Sequence, residues 1–166
     1  MKQIACLFFS LAAVSAWAGE PFTAWVVGIT DGDTVTVLLR DEKRPIRVRL
    51  ASIDAPERAQ AFGQVCRQSL AEKIFKHDVT VRPVPGTGQD QFGRVVATLE
   101  FNGRDINLAQ VAEGCAWHYT EYARRNQTAE TFTVYATAEH QARATRTGLW
   151  TDREPVKPSE FRRGQK

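Results

Sequence analysis

The stretch FTAWVVGITDGDTVTVLLRDEKRPIRVRLASIDAPE, residues 22–57, decides the fold through its alternation. Three short runs inside it, FTAWVVGI, TVTVLLR and PIRVRLASI, set apolar against polar residues in turn, and TDGD and DEKR separate them. Runs of that length and period, joined by Asp-Gly and charged turns, predict an antiparallel three-stranded meander. The third run then meets Ile53-Asp54-Ala55-Pro56-Glu57. Strand interiors avoid Asp and Pro, so the chain leaves the sheet there and holds two carboxylates, Asp54 and Glu57, at its mouth. Carboxylates so placed call for a cation.

Beyond the meander the period changes. Phe62, Val65, Cys66, Leu70 and Ile74 fall at helical spacing within residues 60–77. DVTVRP and GRVVATLEFNGRD then read as two more strands, separated by the Gly- and Pro-rich loop VPGTGQDQF. Asp105 is placed to cap a short helix through Glu113, closed by Gly114, and a longer helix spans about 128–147, closed by Gly148. Five short strands with about three helices predict an α+β domain dominated by β, a five-stranded Greek-key barrel of the OB kind. No repeat and no second domain is visible, and 166 residues suffice for one core. The domain is expected over residues 19–150. The charged segment TDREPVKPSEFRRGQK, residues 151–166 with two prolines, is expected to be an extended or mobile tail.

The first eighteen residues, MKQIACLFFSLAAVSAWA, differ in kind: one early lysine, an apolar run, and Ala16-Trp17-Ala18. This is the pattern of a signal peptide cleaved near Ala18, and the apolar run is shorter than the roughly 20 residues a spanning helix needs. A periplasmic or secreted chain without a membrane anchor after cleavage is therefore expected, and a monomer. Cys6 leaves with the signal, so Cys66 and Cys115 remain, either as a disulfide or as two buried thiols. There is no CxxC, and His77, His118 and His140 are scattered, which argues against zinc. Net charge is only +3 for the whole chain, so a polyanion site would have to come from arrangement. Most of the 22 basic residues are arginine, whose planar fork suits phosphate.

Asp33 follows the Asp31-Gly32 turn and opens the second strand, while Asp54 closes the third. In a twisted meander these ends converge, and a hard cation with oxygen ligands resolves the repulsion; Ca²⁺ accepts carboxylates, carbonyls and waters in a flexible shell. Taken alone, DGDT is a common hairpin turn. Arg47 and Arg49 lie on the face opposite Ile46, Val48 and Leu50, and Arg94 opens a strand after the turn in DQFGR. Each arginine alone is an ordinary surface charge. Arginines beside a carboxylate-held metal, with Glu57 to spare, are what phosphodiester hydrolysis requires.

TDGDTV, RVRLASIDAPE and DQFGR occur in this order, with a helix between the last two, and together resemble the staphylococcal nuclease (thermonuclease-like) family over about residues 22–150. The ending EFRRG is similar to tails of its exported bacterial members. The resemblance implies that Asp33, Asp54 and the backbone carbonyl of Ala55 bind calcium, with Asp31 holding a metal-bound water. It implies Glu57 as general base and Arg49 and Arg94 as the phosphate-binding, transition-state arginines. The implied reaction is calcium-dependent endonucleolytic cleavage of DNA and RNA, single-stranded and duplex, leaving 3′-phosphates.

Departures stand beside these matches. Ala55 replaces a threonine, Phe92 a tyrosine and Gln91 a lysine; the last two remove groups that would contact a terminal phosphate. AWHYTEY resembles the segment whose tyrosines line the nucleotide pocket, which points to Tyr119 and Tyr122 as substrate-binding, although core packing uses the same rings. The competing reading is a non-catalytic OB-fold module that binds nucleic acid. All the expected acidic and arginine positions are filled here, which weighs against it.

Overall fold

The computed structural model describes residues 19–87 and 89–164; the expected signal peptide, residues 1–18, lies outside them. Strands β1 (Phe22–Ile29), β2 (Thr34–Leu39) and β3 (Arg44–Leu50) form the meander. Their inward residues, among them Val26, Val35, Val37, Val48 and Leu50, are covered almost completely, as the alternation requires. A two-residue β4 (Ile53–Asp54) and helix α1 (Gly63–Ile74) follow. Cys66, Leu70 and Ile74 are the buried stripe of α1.

Strands β5 (Asp78–Pro83) and β6 (Val95–Phe101) complete the sheet, with a short β7 (Arg104–Asp105) outside. β5 pairs antiparallel with both β1 and β6. β6 then runs parallel to β3, Val48 opposite Val95 and Leu50 opposite Ala97, and the five strands close into an OB-fold barrel. The remaining elements are α2 (Ile106–Ala112), β8 (Trp117–His118), α3 (Thr120–Asn126), α4 (Ala129–Ala144), a 3₁₀ turn (Gly148–Thr151) and α5 (Pro158–Gly164). None of the helices among the described residues is long and apolar enough to cross a membrane.

Asp105 caps α2 as expected, accepting the Leu108 N–H at 3.0 Å. Its second oxygen accepts the Tyr135 hydroxyl at 2.7 Å and fixes α4 to the same point. Fully buried Asn107, on α2, donates to the carbonyls of Ala51 and Ala97 and accepts the Leu99 N–H at 3.1 Å. One amide thus satisfies the backbone where β3 and β6 meet, a place where orphaned groups would be costly.

Among the described residues the structure adds two details to this expected architecture. Helices α3 and α5 raise the number above about three: α3 is a single short segment without an apolar period of its own. The tail is not wholly extended, because Lys157-Pro158 starts α5. Proline fits the first helical position, Glu160 lies in the first turn, and Arg162 and Arg163 lie in the last, where each charge opposes the helix dipole.

Candidate active site

The rim where β2 begins and β3 ends opens into a cleft of about 890 Å³. Asp31, Asp33, Arg49, Asp54, Glu57, Arg94, Tyr119 and Tyr122 all line it, so the structure gathers nearly the whole set expected from sequence. Ala55 is buried, and its N–H donates to Asp33 Oδ2 at 2.6 Å.

The acidic turn builds itself. Asp31 Oδ1 accepts the Asp33 N–H at 3.0 Å, the Asx-type bond expected of an Asp-Gly turn. Thr34 Oγ1 donates to Asp33 Oδ1 at 3.0 Å, and the Asp33 carbonyl accepts the Leu50 N–H at 2.8 Å, which ties the start of β2 to the end of β3. From beneath, buried Gln110 of α2 donates to the Gly32 carbonyl at 2.9 Å. On the other side β4 pairs with β8, Asp54 opposite Trp117, and fixes the second carboxylate.

Arg49 stands between the two carboxylates. Its Nη2 lies 3.0 Å from Asp33 Oδ2 and 3.0 Å from Asp54 Oδ1, while Nη1 donates to the Leu50 carbonyl at 2.8 Å. Asp33 and Asp54 are 4 % and 6 % exposed, so Arg49 bridges two nearly dry charges, and Arg162 reaches only the second of them. The balance is short of cation. Burial and then the Asp33 charge push Asp31 up to about 7, and the same two causes raise Asp54 against the pull of Arg49 and Arg162.

The oxygen-only character of this cluster suits a hard cation, and its surplus negative charge is what such an ion relieves. No three His, Cys, Asp or Glu side chains among the described residues form a ready metal cage, so peptide and water oxygens would complete the shell.

Glu57 sits beyond Asp54 on a loop clamped at several points. Its N–H donates to Gln60 Oε1 at 3.1 Å, its carbonyl accepts the Gln60 N–H at 2.8 Å, and Gly63 packs directly on that carbonyl. A Cβ at residue 63 would lie 1.9 Å from the Glu57 oxygen, so only glycine admits this approach. Arg94 is held by Asp90, which accepts its Nε at 2.8 Å and also the N–H groups of Phe92 and Arg94. These bonds hold Asp90 below the usual carboxylate range despite the opposing effect of its burial. Arg47 Nη2 donates to the Phe92 carbonyl at 2.6 Å and pins the same loop to β3. Tyr119 and Tyr122 stack with ring centroids 6.2 Å apart; Tyr122 packs on Ala51, Val84 and Val96, while Tyr119 is exposed. Packing and display are thus divided between the two rings.

Cys66 and Cys115 are free thiols in the structure, buried outside the cleft below Gly32, with a hydrogen bond between them. That bond holds Cys115 below the usual thiol range and, with burial, raises Cys66.

Sequence reasoning missed Asp90, Gln60, Gln110 and, above all, Arg162. The first three have residue types that turns and helices carry everywhere. Arg162 lies in EFRRG, a charged segment with no pattern to tie it to the cleft; its guanidinium reaches Glu57 Oε1 at 2.5 Å and Asp54 Oδ2 at 3.3 Å.

Residues 47–152 match the family described as "Staphylococcal nuclease homologue". The chain is 38% identical over 175 residues to "Micrococcal nuclease" of Shigella flexneri, covering 100% of this chain and 94% of that one. It is 37% identical over 160 residues to "Uncharacterized endonuclease" of Haemophilus influenzae, covering 96% and 84%. It is also 37% identical over 175 residues to "Protein ParB" of Escherichia coli, covering 98% and 90%.

Proposed function

The chain belongs to the staphylococcal nuclease family, and on that premise we propose that it is an exported calcium-dependent endonuclease of low sequence specificity. Its substrates are DNA and RNA, and its products end in 3′-phosphates. One observation carries the reading: Arg49 bridges two buried carboxylates at 3.0 Å each, with Glu57 and Arg94 on the same cleft. Such a cluster is expensive for stability alone, since replacing buried ion pairs with apolar groups is often neutral or favourable.

Asp33 and Asp54, with the Ala55 carbonyl and, through water, Asp31, would hold the calcium, which supplies charge neutralisation and Lewis acidity to the phosphate. Glu57 accepts a proton from the water that attacks phosphorus, and the bond to the 5′ oxygen breaks on the opposite side, that oxygen leaving as a hydroxyl with a proton taken from solvent. Arg49, relieved of balancing two carboxylates, presents its fork to a non-bridging oxygen. Arg94 keeps Nε and Nη2 on Asp90 and has Nη1 to donate. Both therefore act where charge grows in the transition state, where preorganised donors are most effective. Tyr119 offers an exposed ring to a base, and such stacking tolerates any sequence. The signal pattern of residues 1–18 supports export, to the periplasm or the medium.

The test is digestion of single-stranded DNA, duplex DNA and RNA by the mature chain with calcium, with magnesium and with a calcium chelator. Calcium-dependent cleavage leaving 3′-phosphates is expected. Binding without cleavage in every condition would replace this reading with the OB-fold binding module.

A further inference from the structure

We propose that α5 supplies the cleft with a third arginine, Arg162, which contacts the substrate phosphate beside Arg49. The proposal rests on the hydrolytic reading above and adds a residue from outside the matched family region, which ends at 152. Arg162 Nη1 lies 3.5 Å from Asp54 Oδ1, the same oxygen that accepts Arg49 Nη2 at 3.0 Å. Two guanidinium groups therefore sit side by side around one carboxylate oxygen. A phosphodiester carries two non-bridging oxygens and can take one fork on each.

The placement of Arg162 is built rather than incidental. Pro158 is buried, and the Val156 carbonyl accepts Gln60 Nε2 at 2.6 Å. Gln60 also receives the Glu57 N–H through its Oε1, so one side chain ties the tail and the general base together. The Arg162 side chain remains 48 % exposed, open to the cleft it lines. Arg162 is the open half of these pairs, with Asp54 only 9 % exposed, and from that position its guanidinium, 105 residues along the chain from Glu57, can turn to a substrate phosphate. Arg163, next on the same short helix, is exposed and no part of the cleft lining, and so serves as an internal control for charge.

The experiment compares the mature wild type with Arg162→Ala, Arg162→Lys and Arg163→Ala, in calcium, on a single-stranded oligonucleotide. Arg162→Ala should lower kcat/KM ten- to a hundredfold without shifting Tm, and Arg162→Lys should recover only part. Arg163→Ala should stay within about twofold of wild type. Millimolar guanidinium should partly restore Arg162→Ala and leave the wild type unchanged, which a purely structural role would not produce. Binding of a phosphorothioate strand in calcium, which needs no turnover, should weaken several-fold in Arg162→Ala. If the wild type binds that strand but never cleaves, the hydrolytic reading fails while a weaker Arg162→Ala complex still supports the contact. Arg162→Ala that matches or exceeds wild type in both assays overturns the proposal and makes the tail a brake or a bystander. An equal loss in Arg163→Ala overturns it too, because general tail charge would then explain the effect.

Discussion

At the scale of single residues the cleft depends on donors whose shape matters as much as their charge. Arg49 makes bonds in three directions, to Asp33, Asp54 and the Leu50 carbonyl. Lysine keeps the charge and loses the fork. Arg49→Lys should cut kcat/KM by at least a hundredfold with only a small fall in Tm, measured on single-stranded DNA; a loss below tenfold would leave Arg49 only steering substrate. His118 allows a second test, away from the chemistry. It is buried between Phe132 and Tyr135, its Nε2 is 3.0 Å from Gln127 Oε1, and its Nδ1 has no hydrogen-bond partner among the described residues. Burial depresses its pKa below the ordinary 6.5, against smaller upward pulls from Gln127 and Glu139. The unfolded chain therefore takes up the proton first, so this contribution is complete above about pH 6.5 and is lost as pH falls through the lower folded value. The Tm of the wild type should drop more between pH 7 and pH 5 than that of His118→Gln, and parallel curves would contradict the assignment. Asp33, Asp54, Arg49 and Glu57 were legible in the sequence because their chemistry is written in their residue types at the ends of strands. Gln60, Gln110 and Asn107 were not, because an amide acts through the backbone groups that happen to surround it.

Elements place these residues, and the elements differ in how openly the sequence announces them. The meander was legible from alternation alone, and so was α1 from its buried stripe. What did not show was that the start of α1 also seats Glu57. Gly63 touches the Glu57 carbonyl so closely that Gly63→Ala must shift one chain or the other. That variant should lose about 2–4 kcal/mol of stability, in the range of strong overpacking, and most of its activity. Denaturant unfolding and the cleavage rate measure the two losses, and a fully active, stable Gly63→Ala would show the contact to be dispensable. Helix α5 was hidden for the opposite reason. Seven residues rich in charge have no apolar period, and the helix is held by Pro158 burial and the Gln60 bond, both of them long-range contacts.

Across the whole molecule, closure of the barrel by the parallel β3–β6 seam brings Arg49 and the Asp90–Arg94 loop to one rim. Five strands and their order of appearance made a barrel legible; the seam itself, with buried Asn107 bridging it, is a long-range pairing that local pattern does not encode. The rim concentrates negative charge that the fold leaves only partly balanced. Calcium should therefore stabilise the folded chain, by about 2.7 kcal/mol at a hundredfold excess over Kd, or roughly 5–10 °C in Tm for a domain of this size. Chelator should remove that gain and Asp54→Asn should abolish it; a Tm indifferent to calcium would count against the carboxylate pair as its site. The central claim is that this rim hydrolyses phosphodiesters with Glu57 as base. Its most direct test is the single-turnover cleavage rate of a short single-stranded DNA by wild type and Glu57→Gln in calcium, each first shown to be folded and to bind calcium alike. A fall of several orders of magnitude in the Gln variant is expected, and equal rates would contradict it.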